Sequence, residues 1–488
     1  MTVTSFEDPR AETAPRKSSL YAERRKIYPK SVNGKFRQLK WLALIVLLAI
    51  YYVTPWIRWD RGPNAPDQAV LVDIPGRRLY FFFVELWPQQ VYYLTGLLIL
   101  GAVGLFLATA LAGRVWCGYA CPQTVWTDLF VWVERLVEGD RGARIRLDNA
   151  PWSAGKLARK AAKHAVWLLI AVATGGAWVF YFNDAPTLLS DLVHFQASSG
   201  ALLFIGVFTG TTYLLAGMAR EQVCIYMCPW PRFQAAMVDE DSLVVTYEDW
   251  RGEGRGHLRK AQSWEDRKAQ GLGDCIDCGA CVQVCPTGVD IRNGQQLACI
   301  GCGLCVDACN DVMARIGRPG ELIRFDTLNA QVARAQNAKP KFRPIRPRTL
   351  VYTLILTTVA GFMTAGLVFK PRVDVNVLRD RAPLFVTLSN GDVQNAYTVK
   401  ILNMTRAGRD YRLEFAGIPA AGLSVAGSAE APAPSLVVHA DPDSVGTHRI
   451  LVRVPAGAVT QPSTPATVVV TPLPEGTAVR HDTVFLAP

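Results

Sequence analysis

Cysteine is absent from one large part of the chain and crowded into another. No cysteine follows Cys309, and all twelve lie between Cys117 and Cys309. A tail without cysteine can fold in an oxidising compartment without forming disulfides, whereas a crowded set of free thiols needs a reducing one. The distribution therefore predicts that the two parts of the chain face different redox compartments.

Signatures of bound nucleotide and of membrane haem are also missing. The chain has no P-loop, and the glycine-rich stretch at 252–257 does not join a strand to a helix as a dinucleotide-binding loop does. A haem held by two histidines is not expected, because His164 and His194 are predicted at opposite membrane faces. Electrons must therefore come from a partner or a mobile carrier. The N-terminal residues also lack the pattern of a signal peptide.

The composition indicates a membrane protein with soluble parts. Half of the 488 residues are apolar, and the formal net charge is +11. Such a positive charge could favour nucleic acid as a partner. However, the basic residues cluster beside apolar runs, as the positive-inside rule expects, and so no nucleic-acid partner is predicted.

Five apolar runs are long enough to cross a bilayer, which needs about 20 residues. They lie at 39–57, 91–112, 165–182, 201–219 and 350–369. Lys and Arg crowd the segment 135–163 and are missing from 183–200. This asymmetry predicts a cytoplasmic N-terminus, and five spans then place the C-terminal region outside the cytoplasm.

The C-terminal segment after the fifth apolar run is predicted to form a set of short strands. Its alternating runs are separated by Pro, Gly, Asn and Asp, and they lie at 373–378, 397–403, 411–415, 436–439, 448–454, 467–470 and 483–486. Seven such runs favour an immunoglobulin-like sandwich. Because the tail lacks the cysteine pair and the tryptophan of antibody domains, we expect an aliphatic core.

The predicted fold class is a multi-domain membrane protein that joins an α-helical bundle of five spans, a ferredoxin-like α+β module with two clusters and an all-β immunoglobulin-like sandwich. The first part is a basic, mostly disordered cytoplasmic tail. The predicted domains are the tail at 1–37, four spans with two C-x3-C-P motifs at 38–230, the cytoplasmic ferredoxin-like region at 231–348, the fifth span at 349–370 and the sandwich at 371–488.

Two cysteine runs carry the strongest chemical signal. Each reads C-x2-C-x2-C-x3-C, the spacing of two-cluster bacterial ferredoxins, in which the fourth cysteine of each run binds the other cluster. A structural zinc site would instead need separated C-x2-C pairs. The prediction is two [4Fe–4S] clusters, one held by Cys275, Cys278, Cys281 and Cys309 and the other by Cys285, Cys299, Cys302 and Cys305.

A second cysteine motif, C-x3-C-P, occurs twice, each time after a span and a basic residue. Its cysteines are Cys117, Cys121, Cys224 and Cys228. A spacing of four places both sulfurs on one face of a helical turn, and the following proline predicts a helix that begins there. Four thiolates together would suit iron, copper(I) or zinc. The alternative is four small residues in helix packing, but the duplication favours metal or redox use.

Several segments together resemble a known family. GRVWCGYACPQTVW, CIYMCPWPRFQ, LVVTYEDWRGEGRG and CVQVCPTGVDIRNGQQLACIGCGLCVDAC are similar to the CcoG/FixG/RdxA proteins, which are bacterial cytochrome c oxidase accessory proteins. The resemblance covers nearly the whole chain. More distantly, the motifs resemble membrane quinol dehydrogenases of the NapH and NosR kind.

This resemblance implies a role in the assembly of cbb-type haem–copper oxidase at the bacterial inner membrane, through reduction of Cu(II). The implied partners are the membrane, a cytoplasmic electron donor, copper ions, and oxidase assembly factors or copper chaperones. The sandwich would be periplasmic. Copper enters only through the resemblance, although a tetrathiolate beside low-potential clusters would favour Cu(I).

Three functions stay open from the sequence. The first is a cupric reductase, in which electrons pass from the two clusters to the pocket of the C-x3-C-P cysteines. The second is a relay that oxidises quinol, and the third is a copper carrier or scaffold without turnover. Within the first, copper binds the four sulfurs directly, or a resident iron centre there passes the electron on.

Overall fold

The computed structural model describes residues 26–62, 65–259, 262–428, 430–474 and 476–488. The chain divides into two compact units, each made of three segments. The first unit contains Met1–Leu47, Leu105–Ala173 and Phe208–Leu350, and the second contains Leu48–Gly104, Thr174–Val207 and Val351–Pro488.

Within the described residues, five helices are long and apolar enough to cross a membrane. With adjoining 3₁₀ and π turns, they are Lys35–Trp56, Pro88–Ala112, Ala154–Val179, Ser199–Ala219 and Pro347–Val368. Their number agrees with the five predicted spans. The third helix begins at Ala154 rather than at 165, because the alanine-rich, basic stretch before the apolar run is itself a good helix former.

The first unit contains short helices and one small sheet besides its parts of the long helices. The helices are Pro122–Glu138, Arg141–Asn149, Trp230–Met237, Asp249–Gly252, Trp264–Ala269, Ala280–Val284, Leu304–Arg315 and Leu328–Ala335. The strand Val244–Tyr247 pairs antiparallel with Ile323–Asp326, and this pair flanks the cysteine runs in sequence.

The described end of the predicted tail is packed in the first unit. Lys26 Nζ and Tyr28 Oη both lie 2.6 Å from Asp148 Oδ2. Residues 26–37 therefore differ from the predicted disorder, because their polar side chains find buried or half-buried partners. The remainder of that prediction, residues 1–25, lies outside the described residues.

The C-terminal part of the second unit is a sandwich of two antiparallel sheets. One sheet has the order Gly422–Val425, Ser444–Val454, Val393–Asn403 and Val373–Arg379, with Val386–Thr387 also paired to Val393–Asn403. The other has the order Ser435–Ala440, Arg409–Ala416, Ser463–Pro472 and Val479–Leu486. All seven predicted strands are confirmed. The strands at 386–387 and 422–425 are additional, since they are too short to show alternation.

The sandwich core follows the alternation of its strands. Along Arg409–Ala416, the side chains of Tyr411, Leu413 and Phe415 are buried, and the residues between them are exposed. Burying one such large apolar side chain contributes roughly 1.5–3 kcal/mol. The expected aliphatic core is wrong in one respect, because aromatic rings, including Tyr397, take part of the volume.

The second unit also holds a small sheet and a short helix. Strands Val70–Asp73, Arg78–Phe81 and Val84–Leu86 form an antiparallel three-stranded sheet. The helix Ala185–Val193 begins after Asp184, whose side chain accepts a hydrogen bond from the Thr187 N–H at 3.2 Å. Such a cap satisfies one of the free N–H groups at a helix start.

Candidate iron–sulfur and thiol site

Two small pockets in the first unit are each lined by four cysteines. One is lined by Cys275, Cys278, Cys281 and Cys309, and the other by Cys285, Cys299, Cys302 and Cys305. Each pocket takes three cysteines from one run and the fourth from the other. The structure thus brings together the same two groups of four that the spacing predicts.

A glycine in the left-handed conformation opens the helix that follows in each run. Gly279 has φ 64° before the helix Ala280–Val284, and Gly303 has φ 73° before Leu304–Arg315. Residues with a side chain rarely adopt this conformation. A Cβ at Gly303 would also lie 2.8 Å from the Phe36 ring. Glycine therefore lets the loop turn sharply enough for three cysteines to face one pocket.

The donor set of these pockets fits an iron–sulfur cluster. Burial raises the pKa of Cys281, Cys302 and Cys309 to about 12, so these thiols would hold their protons without a cation nearby. Bound iron would supply that positive charge, and backbone N–H donors would add to it. The Val289 N–H, for example, donates to Cys285 Sγ at 3.3 Å.

No three His, Cys, Asp or Glu side chains among the described residues converge closely enough to bind a single metal ion. For the two cluster pockets this is expected, since each cysteine of a cubane binds a different iron atom. For the C-x3-C-P cysteines it means that their sulfurs do not form a tetrathiolate around one ion in this structure.

The C-x3-C-P cysteines nevertheless share one pocket. A cavity of about 130 Å³ in the first unit is lined by Cys117, Cys121, Cys224 and Cys228, together with side chains of the cluster loop. The duplication in sequence is therefore matched by proximity in space. The pocket belongs to a single unit and is separate from the two cluster pockets.

Both copies of the motif have the same backbone, a helical turn that is wider than an α turn. Trp116–Ala120 and Val223–Met227 are π turns. Each is closed by the second cysteine of its motif, whose N–H donates at 2.8 Å to the carbonyl five residues earlier. The turn ends at that cysteine, which is extended, with ψ 127° at Cys121 and 122° at Cys228. Single π turns of this kind are frequent at functional sites.

The prolines act as the sequence predicts. Pro122 is the first residue of the helix Pro122–Glu138, and Pro229 immediately precedes Trp230–Met237. Proline suits the start of a helix because its missing N–H would have no partner there. Cys121 therefore stands immediately before the first turn of a 17-residue helix.

The loop that carries Cys299 and Ile300 separates one cluster pocket from the C-x3-C-P pocket. Both residues line both pockets. Arg114 fixes the loop, because its guanidinium donates to the Cys299 carbonyl at 2.9 Å and to the Pro231 carbonyl at 3.0 Å. One side chain thus ties the cluster loop to the second C-x3-C-P copy.

The first C-x3-C-P copy packs directly on the same loop. Tyr119 Oη donates to the Cys302 carbonyl at 2.9 Å. A Cβ at Gly118 would lie 3.0 Å from the Ile300 carbonyl, so only glycine allows this approach. Tyr226, at the equivalent position of the second copy, is 71% exposed. The two copies therefore differ in role, although their sequences match.

Two of the four thiols in this pocket are neutral before a metal binds. Burial, and next the neighbouring Cys121, raises the pKa of Cys117 to about 12, and burial raises that of Cys224 to about 11. Cys117 Sγ donates to Gln234 Oε1 at 3.1 Å, as a protonated thiol can. A soft metal ion that bound these sulfurs would displace their protons.

A buried ion network on the helix Pro122–Glu138 was not foreseen from the sequence. Glu134 lies 2.9 Å from Arg144 and 3.1 Å from Arg220, the basic residue before the second motif. Burial alone would raise the pKa of Glu134, but these cations outweigh it and hold the pKa at about 2. Glu134 and Glu138 are four residues apart on this helix, but nothing in the sequence links either of them to Arg220.

Comparison with known families agrees with this picture. A model described as a 4Fe-4S dicluster domain matches residues 219–328, and one described as a 4Fe-4S binding domain matches 94–140. A third, for the Ig-like fold at the C-terminus of FixG, matches 363–488. With five apolar helices, these matches define a membrane-associated iron–sulfur redox protein.

Curated relatives match almost the whole chain. FixG of Rhizobium meliloti (strain 1021) is 50% identical over 465 residues, which cover 90% of this chain and 88% of FixG. RdxB of Cereibacter sphaeroides is 49% identical over 96% of this chain and 97% of RdxB. RdxA of the same organism is 50% identical over 90% of this chain and 91% of RdxA. The chain belongs to the family of FixG, RdxA and RdxB.

Proposed function

We propose that this protein is a cupric reductase that supports the assembly of cbb-type cytochrome oxidase. One electron from a cytoplasmic donor would reduce one Cu(II) to Cu(I) for each turnover. The observation that carries the proposal is the wall of Cys299 and Ile300, which lines both a cluster pocket and the C-x3-C-P pocket. When bound, the iron–sulfur clusters supply one-electron reduction at low potential.

The exposure of the cysteines indicates a direction for the electrons. Cys278 is exposed, whereas each of the other seven cluster cysteines is buried or partly buried in the described chain. A soluble donor would therefore approach the group that contains Cys278. The group that contains Cys299 borders the C-x3-C-P pocket and is suited to pass electrons onward.

The pocket residues have separable roles in this proposal. Cys117 and Cys224 would lose their protons as copper binds, and the four soft sulfurs would hold Cu(I) in preference to Cu(II). Arg114 keeps the Cys299 loop beside the pocket through its bonds to backbone carbonyls. The polar groups thus position the two sites, while the sulfurs contact the substrate.

A resident iron centre in the C-x3-C-P pocket is the alternative to direct copper binding. The match of a 4Fe-4S binding domain to residues 94–140 supports it, because that range contains Cys117 and Cys121. The cavity of about 130 Å³, whose sulfurs do not meet at one point, is compatible with a centre of several atoms. In this version the electron passes through the resident iron to copper bound nearby.

The proposed location is the bacterial inner membrane. The charge asymmetry between residues 135–163 and 183–200 supports a cytoplasmic N-terminus and a periplasmic region 371–488. The cysteines would then stay in the reducing cytoplasm, and the cysteine-free sandwich would fold in the oxidising periplasm.

The test compares Cys121→Ser and Cys228→Ser in protein purified without oxygen, with Tyr226→Phe as the control from the same motif. We expect both serine variants to reduce Cu(II) roughly tenfold more slowly or worse, because a soft ligand is lost. Both should keep about eight irons, the content of two cubanes. The control should match the wild type.

The same samples separate the alternatives. If both serine variants reduce copper at the wild-type rate, the pocket is structural and the proposal fails. If the wild type holds iron beyond two cubanes and the variants lose it, the resident-iron version is correct. Reduction of the clusters by quinol, without any copper reduction, would instead identify a quinol relay.

A further inference from the structure

The second unit contains a polar cavity that the proposed copper chemistry does not use. Its volume is about 490 Å³, within the range of roughly 300–1,000 Å³ that is typical of small-molecule sites. Its lining comes from the end of the fifth long helix, from the segment that contains the small sheet and from two bends of the sandwich. All of these segments belong to the second unit.

The charges around this cavity do not balance. Its basic residues are Arg61, Lys370, Arg372 and Arg406, and its acidic residues are Glu85 and Asp443. Both acids already pair with Arg78, which lies outside the lining: its guanidinium is 3.3 Å from Glu85 and also contacts Asp443. Within the described residues, none of the four lining cations forms an ion pair with a carboxylate. An excess of positive charge therefore faces the cavity.

Arg61 makes the imbalance costly. It is 5% exposed, and its guanidinium donates to backbone carbonyls, including those of Gln68 and Ala69 at 2.8 Å, but to no carboxylate. Among the described residues, Glu85 and Asp67 act on this guanidinium only from beyond ion-pair distance, and Arg406 adds a second positive charge nearby. A buried charge that is not directly paired is costly. An anion in the cavity would offset this cost.

The residues that line the cavity indicate which anion it could bind. Arg372 and Arg406 are exposed and have no ion-pair partner in the described chain, so their guanidinium groups are available to a ligand. Arginine binds phosphate oxygens through two parallel hydrogen bonds. Leu367 and Val368, at the end of the fifth long helix, add an apolar wall on which an acyl chain could lie.

We infer that this cavity binds a phosphate group, carried either by an anionic phospholipid headgroup or by a soluble phosphate. A basic cavity at the end of a long apolar helix can bind an anionic lipid headgroup through charge-assisted hydrogen bonds to its phosphate. Here the basic residues would bind the phosphate oxygens, and the apolar wall would contact the lipid tail when the source is a lipid. This site is independent of the proposed reduction of copper.

The experiment uses the full-length protein in detergent and follows its thermal unfolding during titration with phosphatidylglycerol, with phosphatidylcholine or with inorganic phosphate. The test protein is a double variant that carries both Arg372→Gln and Arg406→Gln. The control is Arg381→Gln, which changes an exposed arginine outside the lining. Lipid retained through purification is measured by native mass spectrometry. Circular dichroism and the absorbance of the clusters show that each variant is folded.

We expect the wild type and the Arg381→Gln control to bind alike whichever phosphate-bearing probe stabilises the wild type. The double variant should bind that probe roughly tenfold more weakly, because charge-assisted hydrogen bonds are lost. Stabilisation by phosphatidylglycerol, with neither other probe active, identifies a lipid site. Stabilisation by inorganic phosphate that displaces the lipid identifies a soluble phosphate site. Equal responses of all three proteins to every probe would overturn the inference.

Discussion

The two units differ in the charged and sulfur-containing side chains that they bury. The first unit buries charged and sulfur-containing side chains, and Arg144 and Arg267 are among its least exposed residues. The second unit contains no cysteine, and its sandwich core is apolar, with Ile401 and Leu413 fully buried. A core of charges depends on each partner, whereas an apolar core depends on volume. We therefore expect the two units to fail under different changes.

The largest expected effect comes from breaking the charge network. Glu134→Gln would leave Arg144 and Arg220 buried without a full negative charge, and should lower the stability of the first unit by about 3–5 kcal/mol. The measurement is the temperature at which cluster absorbance is lost. Exposed Glu265→Gln is the control, with an expected change within about 0.5 kcal/mol.

The pH dependence sharpens this prediction. The pKa of Glu134 is lowered to about 2 in the folded state, so its contribution is present above its ordinary value near 4.5 and is lost as the pH falls through 2. In the Glu134→Gln variant, the temperature at which cluster absorbance is lost should fall less steeply as the pH is lowered. If the Glu134→Gln variant is as stable as the wild type and loses stability equally steeply in acid, the network does not stabilise the fold.

The second expected effect concerns packing in the sandwich. Leu413→Ala removes a fully buried side chain and should cost about 2–5 kcal/mol in the second unit, because a cavity remains. Hydrogen exchange of the strand amides measures this loss, with Leu384→Ala, which is 46% exposed, as the control. The iron content of the first unit should not change. A parallel loss of iron would contradict the independence of the two cores.

The smallest expected effect is a titration in the second unit. Burial, and next Asp443, raises the pKa of Glu85 to about 7. Its contribution to stability is therefore complete below about 4.5, the ordinary value, and is lost as the pH rises through 7. Glu85→Gln should remove that slope from the unfolding of this unit, and exposed Glu414→Gln should keep it. An unchanged slope in the Glu85 variant would refute the assignment.

Patterns governed by local geometry could be predicted from the sequence. The grouping of Cys285 with the second run follows from spacing alone, since a short loop can face only three sulfurs toward one cluster. The apolar runs and the alternating strands are local in the same sense. Short strands such as Val386–Thr387 were missed because two residues are too few to show an alternation of apolar and polar side chains.

What could not be predicted depends on distant partners. The i, i+4 spacing of the C-x3-C-P cysteines fits an α turn and a π turn equally well, and the tertiary position of Cys121 decides between them. The roles of Arg114 and Gly118 arise only when the cluster loop lies against them. The pairing of Glu134 with Arg220 likewise joins residues that no periodic pattern links.

The contact between Tyr119 and Cys302 also sets an order of assembly. The two residues are 183 positions apart, and closing so long a loop is slow compared with forming a local turn. Gly118 and Tyr119 are synthesised before the cluster loop, and they have no packing partner there until that loop is made. The C-x3-C-P pocket, whose wall includes Leu297, Ala298 and Ile300, can therefore reach its final shape only after the cluster loop has packed against Gly118.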